Sequence, residues 1–231
     1  MNIDKSSKKI QTMFDEIAER YDLLNHLFTF NMDKKWRREI IRKLADDNIK
    51  KDIIIDLASG TGDLTKELLS LKPKELHSCD ISLKMLEVQK NKLKDSIVRL
   101  SQANAENLPY DNNSIDIVTI GFGVRNFENL KEALLEISRV LRNNGLLIVL
   151  EMFSQSKMKN SIYNIYFGKL IPFIGNRISK SKYAYDYLFN SVDSFYSAED
   201  FIILCEELKF KLKERRNNYK GIVNTLYLQK L

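Results

Sequence analysis

The chain has 231 residues, 44% of them hydrophobic and only three of them proline, which suits one large α/β domain and excludes long disordered linkers. Its net charge of +6 (37 Lys+Arg against 31 Asp+Glu) is compatible with nucleic acid, with an anionic membrane surface, or with neither. Two cysteines, Cys79 and Cys205, exclude a disulfide framework, and with no signal-peptide core and no spanning run the expected location is the cytoplasm, with at most a peripheral contact at the inner face of the cell membrane.

In chain order, Met13, Phe14, Ile17, Ala18 and Tyr21 recur at helical spacing and predict a helix over 11–21. A second helix over 34–45 puts Trp36, Ile40, Ile41 and Leu44 on one face and basic residues on the other, read as a solvated face. From residue 53 strands and helices alternate. Strands are predicted at 53–58, 75–80, 97–102, 115–121 and 145–151, with helices at 63–71, 82–94 and 128–141. Apolar runs such as Leu146-Leu147-Ile148-Val149-Leu150 predict a parallel sheet covered on both faces. Residues 153–196 break the rhythm with aromatic residues from Tyr163 to Tyr196, interleaved with lysines and Arg177, and predict a helical insertion. A helix over 197–208 with Ser197 as N-cap and a strand pair at 210–217 and 222–229 close the domain.

The most informative stretch is Ile53 to Asp80. A strand stops at Ser59-Gly60-Thr61-Gly62, a helix follows, and a second strand ends on Asp80. Gly60 and Gly62 let backbone approach a ligand, and an acid at the end of the second strand can accept bonds from both hydroxyls of a ribose. Thr65 stands where a dinucleotide fingerprint has its third glycine, and no P-loop lysine follows. With Asp56 and Asp63 beside the turn, a pyrophosphate would be repelled and a cationic ligand favoured. S-adenosylmethionine, with a ribose, a sulfonium and an amino group, fits those charges. An ordinary strand-to-helix turn is the plain alternative, Asp80 then being a strand-end cap and Asp56 a turn cap.

Four stretches carry a resemblance over nearly the whole chain. They are Met13-Phe14-Asp15 through Tyr21-Asp22-Leu23-Leu24-Asn25; Asp56-Leu57-Ala58-Ser59-Gly60-Thr61-Gly62-Asp63; Gly121-Phe122-Gly123-Val124-Arg125-Asn126; and Tyr183-Ala184-Tyr185-Asp186-Tyr187-Leu188 with Ser191-Val192. Together they resemble the C-methyltransferases of menaquinone and ubiquinone biosynthesis, the demethylmenaquinone methyltransferases being most similar. Ser59 stands where a cysteine is usual, and Gly121 where some members have a serine. The resemblance implies a class I S-adenosylmethionine-dependent methyltransferase fold, Rossmann-like, with a seven-stranded mostly parallel sheet whose seventh strand runs antiparallel. It divides one domain, 1–231, into an N-terminal helical cap (1–50), a cofactor-binding core (51–152), a substrate-side helical insertion (153–196) and a C-terminal helix and strand pair (197–231). The implied reaction is C-methylation of a prenylated quinol, demethylmenaquinol above all. A ubiquinone precursor, a soluble small molecule, or cofactor binding without catalysis remain alternatives.

The resemblance also implies that Thr61 and Asp80 contact the cofactor, with Asn104 and Ala105 beside the adenine; Asp56, Gly60 and Gly62 complete the cofactor set. Arg125, Asn126 and Tyr21 are the expected catalytic residues, Arg125 as electrostatic partner of a developing quinolate oxyanion and all three holding a water that takes the proton. The plain alternative for Arg125 is a loop stapled by an ion pair with Glu128. Helix core is the plain alternative for Tyr21, and His26 is more often a packed histidine than a base. The aromatic insertion, if not merely the core of a lid, would suit a flat quinone head and its tail, and its lysines (Lys157 to Lys182) would favour an anionic surface. No metal is expected. Expected partners are thus the prenylated quinol, a membrane surface touched reversibly and, at most, a second copy in a homodimer; nucleic acid is not among them.

Overall fold

The apolar runs form strands β1 (Ile53–Leu57), β2 (Glu75–Asp80), β3 (Val98–Gln102), β4 (Ile115–Gly121), β5 (Leu141–Met152), β6 (Phe210–Asn218) and β7 (Val223–Lys230). This is seen in a computed structural model that describes residues 4–94, 96–154 and 184–231. The strands make one sheet ordered β3-β2-β1-β4-β5-β7-β6. Pairing is parallel from β3 through β5, and β7 runs antiparallel between β5 and β6. The class I methyltransferase sheet expected from the resemblance is therefore present. The chain builds outward from β1 to β3, then crosses back to lay β4 on the other side of β1. That reversal leaves a crevice beyond the carboxyl ends of β1 and β4, where open α/β sheets bind ligands.

Successive β5 residues alternate between two cores, which is why the run is apolar throughout. Leu147 and Val149 join Ile137, Phe201 and Phe210 on one face. Leu146, Ile148 and Leu150 join Trp36, Ile40 and Tyr227 on the other. The covering helices are α3 (Met32–Asp46) and α4 (Asp63–Leu68) on the Trp36 side, with α6 (Leu130–Val140) and α8 (Ala198–Glu207) opposite. A third, smaller core joins α1 (Ser7–Ile17), α2 (Tyr21–Phe28), α5 (Leu83–Lys92) and α7 (Ala184–Asp193) through Ile10, Met13, Leu24, Met85 and Tyr187. Ser82 and Ser197 cap α5 and α8 by accepting backbone N–H groups.

Two departures from the sequence reading matter. The helix over 11–21 is not continuous: α1 ends at Ile17, a 3₁₀ turn spans Ala18–Arg20, and α2 starts at Tyr21. The break turns the Tyr21 ring edge-on to Phe14, with centroids 6.0 Å apart. Strand β5 begins at Leu141, not 145, because Leu141 already pairs with Ile115 across a register shift. Arg142, inside that irregularity, is tied to buried Asp116, whose other oxygen accepts the Ile53 N–H at 2.9 Å. Of the expected insertion, α7 is described; the aromatic and lysine residues at 155–183 lie outside the described residues. Both cysteines are buried free thiols, pushed up by burial to about 11 (Cys79) and about 12 (Cys205). Among the described residues no helix is long and apolar enough to cross a membrane.

Candidate active site

The turns that leave β1 and β4 are both bent into the left-handed region, and both do so with side chains present: Ala58 at φ +52 and Phe122 at φ +60. Such conformations cost of order 1–3 kcal/mol each and persist where neighbours over-determine them. Here the neighbour is Gly123. A Cβ on it would lie 2.5 Å from the Ala58 Cβ, so only glycine lets the two turns touch. Gly60 at φ +55 continues the first turn, and a Cβ there would approach the Tyr21 ring at 3.7 Å. Around this junction opens a cleft. Its walls are mainly apolar and aromatic (Phe14, Tyr21, Leu57, Ile81, Met85, Phe122), with Asp80, Asn104 and Asn126 as the polar groups besides Ser7 and Glu128.

Asp80, at the end of β2, is buried. Its Oδ2 accepts the Gly60 N–H at 2.7 Å and its Oδ1 accepts the Ser82 N–H at 2.8 Å, so each oxygen keeps a second lone pair. Burial pushes its pKa up to about 6, against the pull of those backbone bonds. Asn104 and Ala105, after β3, line the same cleft. The Asn104 amide donates to Ser7 Oγ at 3.2 Å and its oxygen accepts the Glu106 N–H at 3.4 Å.

The N-terminal helices roof the cleft through hydrogen bonds to the sheet's carboxyl edge. Ser82 Oγ and the Lys84 N–H donate to Asp15 at 2.5 and 3.3 Å. The Ser7 N–H and hydroxyl donate to Glu128 at 2.8 and 2.6 Å. Thr61 Oγ1 donates to Asp22, which also takes Lys92 at 2.7 Å. Glu128 is therefore bound to Ser7, and the ion pair with Arg125 expected as the plain alternative is not formed.

Arg125 pairs instead with Glu151, a residue the sequence reading passed over. Arg125 Nη1 donates to Glu151 Oε1 and to the Phe122 carbonyl, each at 2.7 Å, while both side chains are buried. Burial opposes the guanidinium charge, and the Glu151 carboxylate outweighs it and holds the pKa above its ordinary value. Arg125 Nε is buried with no hydrogen-bond partner among the described residues. Asn126 and Tyr21 face the cleft; Arg125 sits behind them. Asn126 Oδ1 accepts the Tyr187 hydroxyl at 3.1 Å.

Asp56, Thr61 and Gly60 line a neighbouring recess of about 340 Å³, which shares Tyr21, Ala58 and Gly60 with the main cleft. Gly62 lines neither. Asp56 is fully buried; it accepts Thr65 Oγ1 at 2.5 Å and Thr119 Oγ1 at 2.8 Å, and burial lifts it to about 6. Arg37 reaches the same recess. Lys35, Arg38 and Arg42 of α3 are exposed, as the reading of a solvated face expects, and Arg37 alone departs from it at 7% exposed. Its spacing showed this: it lies four residues before Ile41 and seven before Leu44, on the apolar side. His26 is packed as expected. Its Nδ1 lies 2.8 Å from Asp33 and its Nε2 3.5 Å from Asp63. These three residues offer atoms within 4.8 Å of one another, a cluster the sequence did not reveal. Arg37 and Lys92 already counter its carboxylates.

A sequence model described as the ubiE/COQ5 methyltransferase family matches residues 2–230. The chain belongs to the ubiE/COQ5 methyltransferase family. It is 36% identical to the demethylmenaquinone methyltransferase of Thermotoga maritima over 90% of each chain. It is 34% identical to the ubiquinone/menaquinone biosynthesis C-methyltransferase UbiE of a Campylobacter jejuni strain, over 98% of this chain and 100% of that one. A solved SAM-dependent methyltransferase from Aquifex aeolicus superposes with a TM-score of 0.60 at 14% identity, covering 84% of this chain and 89% of the other. The cyclase SpnF superposes with 0.68 at 12% identity, covering 100% and 98%. At those identities the structures show the fold alone.

In this ubiE/COQ5 methyltransferase, the contact between the two turns is directly testable. Gly123→Ala must push Ala58 aside, an overpacking cost of about 1–3 kcal/mol. The expected outcome is a lower Tm together with weakened adenosine binding by calorimetry. Wild-type values for both would contradict the contact.

Proposed function

We propose that this chain transfers the methyl group of S-adenosylmethionine to a ring carbon of a prenylated quinol, with demethylmenaquinol as the acceptor. The observation that carries the reading is one cleft lined by a buried carboxylate at the end of β2, Asp80, together with Tyr21 and Asn126. The relatives' printed names supply the acceptor class.

The residues fit the cofactor. Asp80 has two lone pairs to offer a ribose diol, and Asn104 and Ala105 border the space an adenine would take. Phe14, Tyr21 and Phe122 present aromatic rings to a sulfonium. S-adenosylmethionine supplies an electrophilic methyl carbon when bound. The chain's part is to hold the acceptor carbon in line with it and to keep water away, the first of which can contribute about 7–11 kcal/mol at best.

A ring carbon attacks only when its neighbouring hydroxyl is ionised or nearly so. In this reading Asn126 and Tyr21 contact that hydroxyl, and Arg125 acts from behind them as a fixed positive centre. An arginine stays protonated, and Glu151 keeps this one so; it is not the base. The proton passes to a water held by Asn126 and Tyr21. His26, gripped by two carboxylates, takes no part. A reversible contact with an anionic bilayer belongs to the same reading, since the acceptor's tail lies in lipid and the chain carries +6.

Purified protein given methyl-labelled S-adenosylmethionine, with demethylmenaquinol or a demethylated ubiquinol precursor in vesicles, is expected to label the first, and faster in anionic than in neutral vesicles. Label on both acceptors would make it a dual-pathway enzyme. Label on neither, with cofactor bound, would overturn the acceptor assignment, and equal rates in both vesicle types would remove the membrane contact.

Asp80 also gives a pH prediction. A carboxyl raised to about 6 from its ordinary 3.8 holds extra protons in the folded state. Its contribution to stability is therefore complete below the ordinary value and is lost as pH rises through about 6. A ligand that needs the ionised form binds in the opposite sense. At pH 5 only about one Asp80 in ten is ionised, so cofactor affinity should be about tenfold weaker there than at pH 7.5. Asp80→Asn should bind weakly with that step much reduced, leaving only the part due to Asp56, which burial also lifts to about 6. Calorimetry that gives the same affinity at both pH values for the wild type would contradict the role of Asp80.

A further inference from the structure

We propose that Tyr187 is a positioning residue for methyl transfer: its hydroxyl fixes the side-chain amide of Asn126 so that the NH2 group, and not the carbonyl, faces the acceptor. The inference rests on the function proposed above and says how one contact of that site is set.

Asn126 ends the 3₁₀ turn Val124–Asn126 that follows β4, and its backbone N–H donates to the Gly123 carbonyl at 3.0 Å. That bond holds the main chain and leaves the side chain undetermined. A rotating amide offers two donors on one side and an acceptor on the other. Which side meets the quinol decides what Asn126 can do. A quinolate oxygen carries lone pairs and no proton, so an NH2 group stabilises it and a carbonyl repels it.

Tyr187 makes the choice. It lies on α7, 61 residues along the chain from Asn126. Its ring is 3% exposed and packs into the core with Ile10, Met13 and Leu24 under the N-terminal helices. From there its hydroxyl donates to Asn126 Oδ1 at 3.1 Å. The Arg125 guanidinium interacts electrostatically with the same phenol. A positive centre draws the lone pairs of the phenol oxygen towards itself and turns the proton to Asn126.

The other end of the amide is open. Among the described residues Asn126 Nδ2 makes no hydrogen bond. It is not sealed away, because the buried unpaired side-chain atoms there are Arg125 Nε and Tyr227 Oη alone. Asn126 lines the cleft, so the NH2 group is what the cleft receives. Packing alone would ask only for the ring of residue 187, which a phenylalanine supplies. The hydroxyl is what the amide needs.

The test measures methyl transfer to demethylmenaquinol by the wild type, Tyr187→Phe, Asn126→Ala and the double variant. Tyr187→Phe keeps the ring and should lower kcat about threefold to tenfold, the effect of one hydrogen bond. Its KM and calorimetric affinity for S-adenosylmethionine should stay within about twofold of the wild-type values. In the Asn126→Ala background the same substitution should cost nothing further, because the amide it orients is gone. Wild-type kcat in Tyr187→Phe, a cofactor affinity that falls along with kcat, or a loss undiminished in the Asn126→Ala background would each overturn the proposal. Should Tyr187→Phe not fold, Asn126→Asp leaves Tyr187 in place, keeps an oxygen for its hydroxyl and puts a second oxygen where the NH2 group stood. Its kcat should fall about tenfold or more, and an undiminished kcat would overturn the orientation. A wild type that methylates no quinol would overturn the proposed function itself, a result seen without any variant.

Discussion

The meeting of the turns after β1 and β4 is the constraint on which the rest of the structure depends. Reversal of strand order opens a crevice between them, and the turns must still touch at its floor. Ala58 and Phe122 accept left-handed backbone to do so, and Gly123 gives up its side chain. The result is a wall of backbone and ring at the sheet's edge, with Gly60 shared by the Asp80 cleft and the charged recess. Strain of this kind survives only under a packed sheet, and here the continuous apolar strands supply it from both faces.

A sheet edge alone would be an open shelf. The N-terminal helices make it a cleft, and they are lashed on by polar side chains as well as by a small apolar core. Asp15, Ser7 and Asp22 each reach a different turn of the sheet. The break at Ala18–Arg20 swings Tyr21 beneath that roof. Enclosure also explains the charges. Asp56 and Asp80 are pushed up to about 6 because burial has removed water from them, against the pull of the hydrogen bonds each accepts.

Sequence and structure agree where local pattern decides. Strand positions, the parallel sheet, the Ser197 cap and the Asp80 position follow from periodicity and turn chemistry, and each is found, the early start of β5 apart. The antiparallel β7 came from resemblance. The sequence was silent where the outcome depends on partners distant along the chain. Nothing near Arg125 says that its counter-ion lies 26 residues on, at Glu151, and nothing near Glu128 points back to Ser7. Arg37 differs, because its spacing from Ile41 and Leu44 already places it on the apolar side of α3. The N-terminal signature was visible as a pattern, yet its reason, a roof tied to three turns, needed the fold.

The most direct test of this account is a crystal structure with S-adenosylhomocysteine. The ribose should rest on Asp80 and the adenine beside Asn104 and Ala105. A nucleoside bound away from Asp80 would contradict it.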